Sequence, residues 1–203
     1  MNFICIEGAL GSGKTTLASI YALYYHLKSN CTLYSNYGLK NSIHFDHIEQ
    51  FKDVAVQPSS IITIDEGHVD LDARSFNTNH VKFISHISYY LRKLRSTFII
   101  TSPSFNDLDS RIRGITNILI EVRKDQKYFY YDHYDVQKRK FIKTVRINQN
   151  FAFSLDIFNT WAMVEPLKVH ENRKEFEQFL RELKQINYNY YLEKARRKEE
   201  RTA

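Results

Sequence analysis

Short runs of almost wholly apolar residues alternate along the chain with stretches in which apolar side chains recur every three or four positions. The short runs are Phe3–Ile6, Cys31–Tyr34, Ile61–Ile64, Phe98–Thr101 and Ile118–Val122. Such runs are typical of strands buried on both faces, whereas the spaced stretches are typical of helices with one apolar side. Their alternation predicts an α/β domain with a mostly parallel central sheet that is covered by helices on both faces.

Four helical segments are predicted between these strands. The first begins in the glycine-rich loop after the first strand and continues to about Lys28, and the second lies around His47–Lys52. The third runs from about Val81 to Leu94, after a polar stretch at residues 69–79 that we expect to be a loop. The fourth is a helical turn at Asp107–Arg113.

The pattern changes after residue 125. Tyr128–Tyr134 and Arg139–Ile147 flank a polar turn and predict an antiparallel β-hairpin. Residues 148–166 are expected to be irregular. A long helix is predicted from about His170, with its charged end, Lys194–Arg201, frayed. We therefore divide the chain into a core, residues 1–125, and a hairpin and helical appendage of the same domain, residues 126–203.

Composition adds a charge asymmetry to this picture. Of the 203 residues, 43% are hydrophobic, which suffices for one packed domain, and the net charge is +6. Residues 1–122 carry 11 basic and 11 acidic side chains, whereas residues 123–146 carry 8 and 3. A neutral first part followed by a basic second part indicates a polyanionic partner.

Several classes of protein are disfavoured by what the sequence lacks. Cys5 and Cys31 are the two cysteines of the chain, and neither has another cysteine or a histidine at metal-ligand spacing. We therefore expect reduced core thiols rather than a zinc site or a disulfide framework. No apolar run is long enough to span a bilayer, and no secretory signal is recognisable, so we expect a cytoplasmic protein without membrane insertion.

The segment Gly8–Thr15 matches the P-loop pattern of glycine, four residues, then Gly-Lys-Thr, and it lies between a predicted strand and a helix. Backbone N–H groups of such a loop converge on phosphate at the positive end of the helix. Lys14 is expected to reach the β- and γ-phosphates, and the Thr15 hydroxyl to ligate Mg²⁺. The predicted nucleotide-binding residues are Gly8, Gly11, Ser12, Gly13, Lys14, Thr15, Thr16 and Asp65.

A pair of carboxylates, Asp65 and Glu66, directly follows the apolar run Ile61–Ile64. Ligands of open α/β sheets bind at the carboxyl ends of the strands, so this pair would face the P-loop. We expect Asp65 to hold Mg²⁺ through a water molecule and Glu66 to activate the attacking water. A glutamate in this position favours hydrolysis of ATP over transfer of its phosphate to a small substrate.

The strand Phe98–Thr101 should lie between the P-loop strand and the strand before Asp65, and Ser102 at its end is a candidate sensor of the γ-phosphate. An arginine finger, which reaches the nucleotide of a neighbouring subunit, could also be present. Arg92 is our first choice, because we expect it near the carboxyl edge of the sheet. The other candidates are Arg95, Arg111 and Arg113.

The predicted hairpin interleaves aromatic and basic residues. Its bases are Lys138, Arg139, Lys140, Lys143 and Arg146, and its aromatics are Tyr128, Phe129, Tyr130, Tyr131, Tyr134 and Phe141. This composition suits contact with nucleic-acid phosphates and stacking on bases. An amphipathic hairpin with its aromatics packed on the core and its lysines in water fits the same pattern.

The order of these motifs resembles the FtsK/HerA superfamily of DNA-pumping ATPases, and within it the viral genome-packaging ATPases and the zonular occludens toxin-like assembly proteins of filamentous phages. The resemblance covers about residues 1–165. It is carried by Gly11–Thr15, Tyr34–Leu39, Ile61–Glu66, the helix with Arg92 that leads into Phe98–Ser102, and Leu155–Thr160.

The resemblance implies a RecA-like core, a homo-oligomeric ring, and movement of DNA, double-stranded in a packaging enzyme, driven by ATP and Mg²⁺. Arg92 matches the arginine that ends the helix before the sensor strand, whereas Ser102 stands where the family commonly has glutamine. The lack of a transmembrane segment favours the packaging type over membrane-anchored members. A packaging enzyme would work in the host cytoplasm, in contact with a capsid vertex or assembly protein.

Two other functions fit the motifs. One is a nucleoside or nucleotide kinase, because Ile64–Gly67 is similar to a stretch of thymidine kinases, but the four-cysteine zinc site of those enzymes is absent. The other is an adaptor that binds ATP in order to dock on a partner. A complete large terminase is excluded, since no room remains for a nuclease domain.

Overall fold

The computed structural model describes residues 3–67, 86, 90–164 and 166–200. The strands are β1 Phe3–Glu7, β2 Thr32–Ser35, β3 Ile43–His44, β4 Ser60–Ile64, β5 Ser96–Ser102, β6 Ile118–Lys124, β7 Tyr128–Asp135 and β8 Lys140–Asn148. The helices are α1 Lys14–Ser29, α2 Phe51–Ala55, α3 Ser110–Ile115, α4 Gln149–Ser154 and α5 Arg173–Glu200. Two 3₁₀ turns lie at Ile48–Gln50 and Phe105–Asp107, and residues 90–93 are helical.

These strands form one sheet in the order β3-β2-β4-β5-β1-β6-β7-β8. In this spatial order, each pair of neighbouring strands between β3 and β6 is parallel. Strands β7 and β8 add an antiparallel hairpin to the edge formed by β6. The predicted fold class is confirmed: an α/β domain with a mostly parallel central sheet, a hairpin and a long C-terminal helix. Strand β5 lies between β1 and β4, as predicted from the sequence.

Side chains of the parallel strands alternate between two apolar cores. In β1, Ile4 and Ile6 face helix α1, where they meet Leu17, whereas Phe3 and Cys5 face the opposite layer. That opposite layer contains α2, α3 and the beginning of α5. Helix α5 contributes to it through Phe176, Phe179 and Leu183, which are all buried. Both faces of the parallel sheet are therefore covered, which explains the near-continuous apolar runs in the sequence.

Two local predictions were wrong. Residues 149–154 form helix α4 within a stretch that we expected to be irregular, because the side chain of Asn148 accepts a hydrogen bond from the Phe151 N–H at 3.2 Å and caps the helix. Helix α5 also continues to Glu200 rather than fraying after Lys194. Ion pairs one turn apart, such as Arg197 with Glu193, support its charged end.

Some predictions concern parts of the chain outside the described residues, namely the loop at 69–79 and most of the helix at Val81–Leu94. The division of the chain at residue 125 stays a prediction, since β6 and β7 on either side of it belong to one sheet. In the part of the chain that is described, no helix has the length and apolar content needed to cross a membrane.

Candidate nucleotide site

The loop between β1 and α1 has a backbone that requires glycine. Gly8, Gly11 and Gly13 have φ angles of 154°, 67° and 103°, a region that other residues rarely adopt. A Cβ atom at Gly13 would lie 2.8 Å from the ring of Phe129, and one at Gly8 would lie 2.7 Å from the backbone oxygen of Val122. The loop is thus tightly packed against β6 and β7, with α1 beginning at its end.

Lys14 holds its ammonium group against this loop. The residue is only 6% exposed, and its Nζ donates to the backbone oxygens of Gly8 at 2.9 Å and Ala9 at 3.2 Å. Ser12 Oγ is also buried and has no hydrogen-bond partner among the residues described. A buried hydroxyl without a partner is costly, and an anion bound in the loop could supply one. These residues fit a bound phosphate group.

Asp65 lies at the centre of a cluster of hydroxyl groups at the carboxyl end of β4. Thr15 Oγ1 donates to its two carboxylate oxygens at 3.1 and 3.0 Å, and Thr101 Oγ1 donates to Oδ1. The fold therefore brings Thr15 and Asp65, which are 50 residues apart in sequence, into direct contact. Hydroxyl and carboxylate oxygens of this kind are the ligands that Mg²⁺ prefers, so the donor set fits that ion.

Glu66 follows with a backbone φ of 55°, in the left-handed region that is uncommon for a residue with a side chain. Its N–H donates to Thr101 Oγ1 at 3.1 Å. A residue held in this conformation costs some stability and often marks a functional site. The turn places Glu66 on the wall of the same cavity as Lys14 and Thr15.

Asn36, directly after β2, forms hydrogen bonds with both backbone polar groups of Asp65. Its side-chain oxygen accepts from the Asp65 N–H at 2.8 Å, and its Nδ2 donates to the Asp65 backbone oxygen at 3.1 Å. Asn36 is fully buried. From the sequence, Asn36 was only part of the segment Tyr34–Leu39 that carries the family resemblance, whereas the structure shows that it positions Asp65.

Asn36→Ala should lower the free energy of unfolding by about 1–3 kcal/mol, because the buried N–H and backbone oxygen of Asp65 would no longer have hydrogen-bond partners. Urea denaturation measures this difference. Asn189→Ala, on the exposed side of α5, is the matched control and should change stability by less than about 0.5 kcal/mol. Equal stability of the Asn36 variant and the wild type would show that these two hydrogen bonds do not hold Asp65 in place.

A cavity of about 340 Å³ joins these groups to a second wall from the C-terminal part of the chain. Residues 157–159 run antiparallel to residues 38–40, with the Lys40 N–H donating to the Ile157 oxygen at 2.9 Å and the Asn159 N–H to the Gly38 oxygen at 2.8 Å. Besides Tyr37 and the loop and carboxylate residues, this cavity is lined by Phe129, Phe153, Phe158, Asn159, Thr160 and Ala162. None of the residues in this second wall was predicted from the sequence to belong to the site.

Thr16 and Ser102 differ in their relation to this cavity. Thr16 is buried in the first turn of α1 and lines it. Ser102 is buried at the end of β5, and its Oγ donates to the backbone oxygen of Ser104 at 2.7 Å. The hydroxyl at the end of β5 that contacts the Asp65 carboxylate is that of Thr101. The sensor role of Ser102 stays a prediction.

Two other groups near the loop have shifted pKa values. Burial raises the pKa of Tyr37, whose hydroxyl lies 3.0 Å from Ser19 Oγ, so Tyr37 remains neutral. Burial also raises the pKa of Glu7 at the end of β1, and the negative charges of Glu121 and Asp107 act in the same direction, while the hydrogen bond from the Phe105 N–H opposes them. The neutral Tyr37 therefore adds no charge to the cavity that it lines.

The expected position of Arg92 was wrong. Arg92 and Arg95 precede Ser96, the first residue of β5, so they lie at the amino edge of the parallel sheet, whereas the glycine loop follows the carboxyl end of β1. Arg95 is also engaged within the chain, with its guanidinium 3.7 Å from the ring centroid of Tyr190. Its Nη2 donates to the Ala55 oxygen.

Arg111 and Arg113 lie on α3, in the connection that starts from the carboxyl end of β5. Arg111 forms an ion pair with Asp109 at 3.0 Å, and Arg113 Nη1 donates to Asn106 at 3.2 Å. Because this connection begins at the edge of the sheet that holds the glycine loop, these two arginines are better placed for a contact across that edge than Arg92. A finger role for any of the four stays a prediction.

The hairpin has two different faces. Phe129, Tyr131 and His133 are buried against α1 and the loop, whereas Tyr128 and Tyr130 lie on the outer face. The guanidinium of Arg146 covers the ring of Tyr128 at 4.4 Å, and that of Arg123 covers Tyr130 at 4.5 Å. The buried face fits the interpretation of an amphipathic hairpin packed on the core, whereas contact of the hairpin with nucleic acid stays a prediction. The exposed basic residues are Lys138, Arg139, Lys140, Lys143 and Arg146.

Comparison with known proteins adds a fold assignment. No family model matches the chain, and no curated protein matches it. Among solved structures, it is similar to the N-terminal domain of zonular occludens toxin from Neisseria meningitidis, with a TM-score of 0.56 and 14% identity over 78% of this chain and 98% of that one. It is also similar to the genome packaging NTPase B204 from Sulfolobus turreted icosahedral virus 2 in complex with ATP-gammaS, with a TM-score of 0.53 and 12% identity over 70% of this chain and 96% of that one.

The chain has the P-loop NTPase fold. B204 from Sulfolobus turreted icosahedral virus gives the same result, with a TM-score of 0.53 at 15% identity. The resemblance that the sequence motifs indicated, to viral packaging ATPases and zonular occludens toxin-like proteins, is confirmed at the level of the fold. At these identities the likeness shows the fold alone, and activity has to be argued from the site.

Proposed function

We propose that the chain is an ATP hydrolase that moves DNA in the packaging of a viral genome. The observation that carries the proposal is the shared cavity, in which the Lys14 ammonium and the glycine loop face the Asp65–Glu66 pair. A loop of backbone donors suits the phosphates, and a carboxylate beside it suits activation of water. The phosphate-binding loop and the carboxylate therefore lie in one cavity, and the volume of that cavity is typical of ligand sites.

Each residue has a distinct role in this proposal. Lys14 leaves the Gly8 and Ala9 oxygens to meet the β- and γ-phosphates, and Ser12 gains the partner that it lacks within the described chain. Thr15 and Asp65 would hold Mg²⁺, which when bound would offset negative charge on the phosphates. Glu66 takes the proton of the attacking water. Asn36 and Thr101 act as positioning residues for Asp65 and Glu66.

Two observations support DNA as the partner. The basic hairpin adds exposed positive charge to an otherwise neutral ATPase fold, which suits contact with phosphate groups irrespective of base sequence. B204 from Sulfolobus turreted icosahedral virus, a DNA-packaging ATPase, has the same fold along 96% of its length. We therefore propose duplex DNA as the polyanion that the hairpin meets.

We further propose that the active form is a homo-oligomeric ring in which an arginine of one subunit reaches the nucleotide of the next. A positive charge at the γ-phosphate accelerates hydrolysis by roughly a thousandfold or more in GTPases. Arg111 and Arg113 become the first candidates, because the connection that carries them starts from the carboxyl edge of the sheet. Arg92 and Arg95 lie at the opposite edge.

Turnover of ATP in three mixtures tests the proposed function against the kinase alternative. The chain is incubated with Mg²⁺ and ATP alone, with duplex DNA added, or with thymidine and nucleoside monophosphates added. We expect phosphate release without an acceptor, faster release with DNA, and no phosphorylated nucleoside. Phosphate transfer to a nucleoside, with no release in its absence, would support a kinase and contradict the proposal.

Replacement of Lys138, Arg139 and Lys140 by alanine should weaken binding to duplex DNA regardless of its sequence. The plot of log affinity against log salt concentration should also become shallower, by about 0.9 for each DNA phosphate that the protein no longer neutralises. Fluorescence anisotropy with a labelled duplex measures both quantities. Replacement of Lys28, Lys93 and Lys174 removes the same charge from other surfaces and should leave the slope unchanged. Equal slopes for the hairpin variant and the wild type would rule out the hairpin as the DNA-binding surface.

A further inference from the structure

The cavity beside the glycine loop has an apolar wall on the side of β7 and α4. Phe129 and Phe153 form this wall, with ring centroids 5.8 Å apart and ring planes at 88°. Charged phosphate oxygens gain nothing from such a surface, because they require hydrogen-bond donors or cations. The wall therefore suits a different part of the ligand.

The order of the strands gives the ligand a direction. Asp65 and Glu66 follow β4, which lies two strands from β1 on one side, whereas Phe129 belongs to β7, two strands from β1 on the other. With neighbouring strands about 4.8 Å apart, β4 and β7 each lie roughly 10 Å from β1, and the loop that follows β1 lies between them. With the terminal phosphate at Glu66, the base of a nucleoside triphosphate is directed towards Phe129 and Phe153.

The two rings differ in how much of their surface is available. Phe129 is 2% exposed and packs against Gly13, so the loop already covers it. Phe153 is 58% exposed and meets Phe129 only in an edge-to-face contact. A large aromatic surface left in water beside a cavity is the surface that gains most from a flat partner.

Helix α4 is held in place independently of any ligand. The Gln149 side chain donates to the Asp125 oxygen at 2.7 Å in the β6–β7 turn, and Ala152 is buried against the core. Phe151 on the same helix is 59% exposed, but it does not line the cavity. The helix thus presents two equally exposed phenylalanines, of which Phe153 alone is on the cavity wall.

We propose that Phe153 is the platform on which the base of the bound nucleoside triphosphate stacks, which makes α4 part of the nucleotide site. The inference rests on the proposed function, in that the cavity has to bind a nucleoside triphosphate. A phenylalanine ring offers no hydrogen bond, so the platform favours a flat base without selecting adenine over guanine. It raises affinity for the nucleoside end of the ligand and does not act on the phosphates.

Isothermal titration of ATP and of inorganic tripolyphosphate, both with Mg²⁺, tests the platform. Phe153→Ala should raise the Kd for ATP by about tenfold, as expected for loss of one stacked base, and leave the Kd for tripolyphosphate unchanged. Phe153→Tyr should restore the affinity for ATP. Phe151→Ala is the matched control and should bind both ligands as the wild type does.

Two results would overturn the platform while leaving the proposed function intact. One is an unchanged affinity of Phe153→Ala for ATP, and the other is an equal loss of affinity for ATP and tripolyphosphate, which would mean a general distortion of the site. Failure of the wild type to bind either ligand would contradict the proposed function itself. It would also contradict the stacking role of Phe153, which depends on that function.

Discussion

Glu66→Gln should bind Mg-ATP with the affinity of the wild type and hydrolyse it about 10²–10⁴ times more slowly. The amide has the size of the carboxylate and keeps the same left-handed turn, but it cannot take a proton from water, and general-base catalysis contributes an effect of this size. Titration of ATP gives the Kd, and steady-state phosphate release gives the kcat. Loss of kcat with an unchanged Kd is the signature of a group that acts only in the transition state.

Glu193→Gln, on the exposed surface of α5, makes the same chemical change away from the cavity and should leave both constants unaltered. Hydrolysis by Glu66→Gln at the rate of the wild type would remove Glu66 from the mechanism. A large loss of affinity would show that Glu66 holds the ligand rather than the water.

Lys14→Ala should abolish both binding and hydrolysis, with the Kd for Mg-ATP raised by roughly a hundredfold or more. The ammonium is the buried positive charge inside the loop, and each hydrogen bond between charged groups contributes about 1.5–3 kcal/mol. Titration of ATP and phosphate release measure the two losses. Unlike Glu66→Gln, this variant should also fail to bind tripolyphosphate.

Lys28→Ala, in the last turn of the same helix, is the control and should behave as the wild type. Thermal unfolding of Lys14→Ala without nucleotide shows whether the fold survives without the hydrogen bonds to the Gly8 and Ala9 oxygens. A well-folded Lys14→Ala that binds ATP normally would contradict the assignment of the loop as the phosphate site.

The sequence was sufficient to predict those features that depend on local pattern. The apolar runs indicated the strands, since a strand buried on both faces has few alternatives. The loop Gly8–Thr15 and the pair Asp65–Glu66 were recognisable by residue type and by their place at strand ends. The position of β5 between β1 and β4 also followed from the motif order, and the sheet confirms it.

Other parts of the site depend on side-chain direction and on long-range packing. Successive side chains of a strand point to opposite faces, so a one-residue difference separates Thr101, which contacts Asp65, from Ser102, whose hydroxyl donates to Ser104 instead. The wall at residues 153–162 comes from a segment far from the loop in sequence. The cap at Asn148 determines where the helix that carries Phe153 begins. No local pattern predicts such a contact.

The error in the predicted position of Arg92 has a simpler cause. A helix that leads into a parallel strand ends at the amino edge of the sheet, so Arg92 could not be near the glycine loop of its own chain. The order of helix and strand along the chain already implies this position for Arg92. The helix with Arg111 and Arg113 also leads into a parallel strand, β6, but Arg111 lies in its first turn and Arg113 donates to Asn106 just after the carboxyl end of β5.

In the proposed reaction, water activated at Glu66 attacks the terminal phosphate of ATP bound in the loop. Hydrolysis in water enriched in the heavy isotope of oxygen, with mass spectrometry of both products, shows which phosphorus atom the water attacks. The released phosphate should carry the heavy isotope, and ADP should carry none. Heavy oxygen in ADP, or no phosphate release by wild-type protein in the presence of Mg²⁺ and duplex DNA, would contradict the proposed reaction.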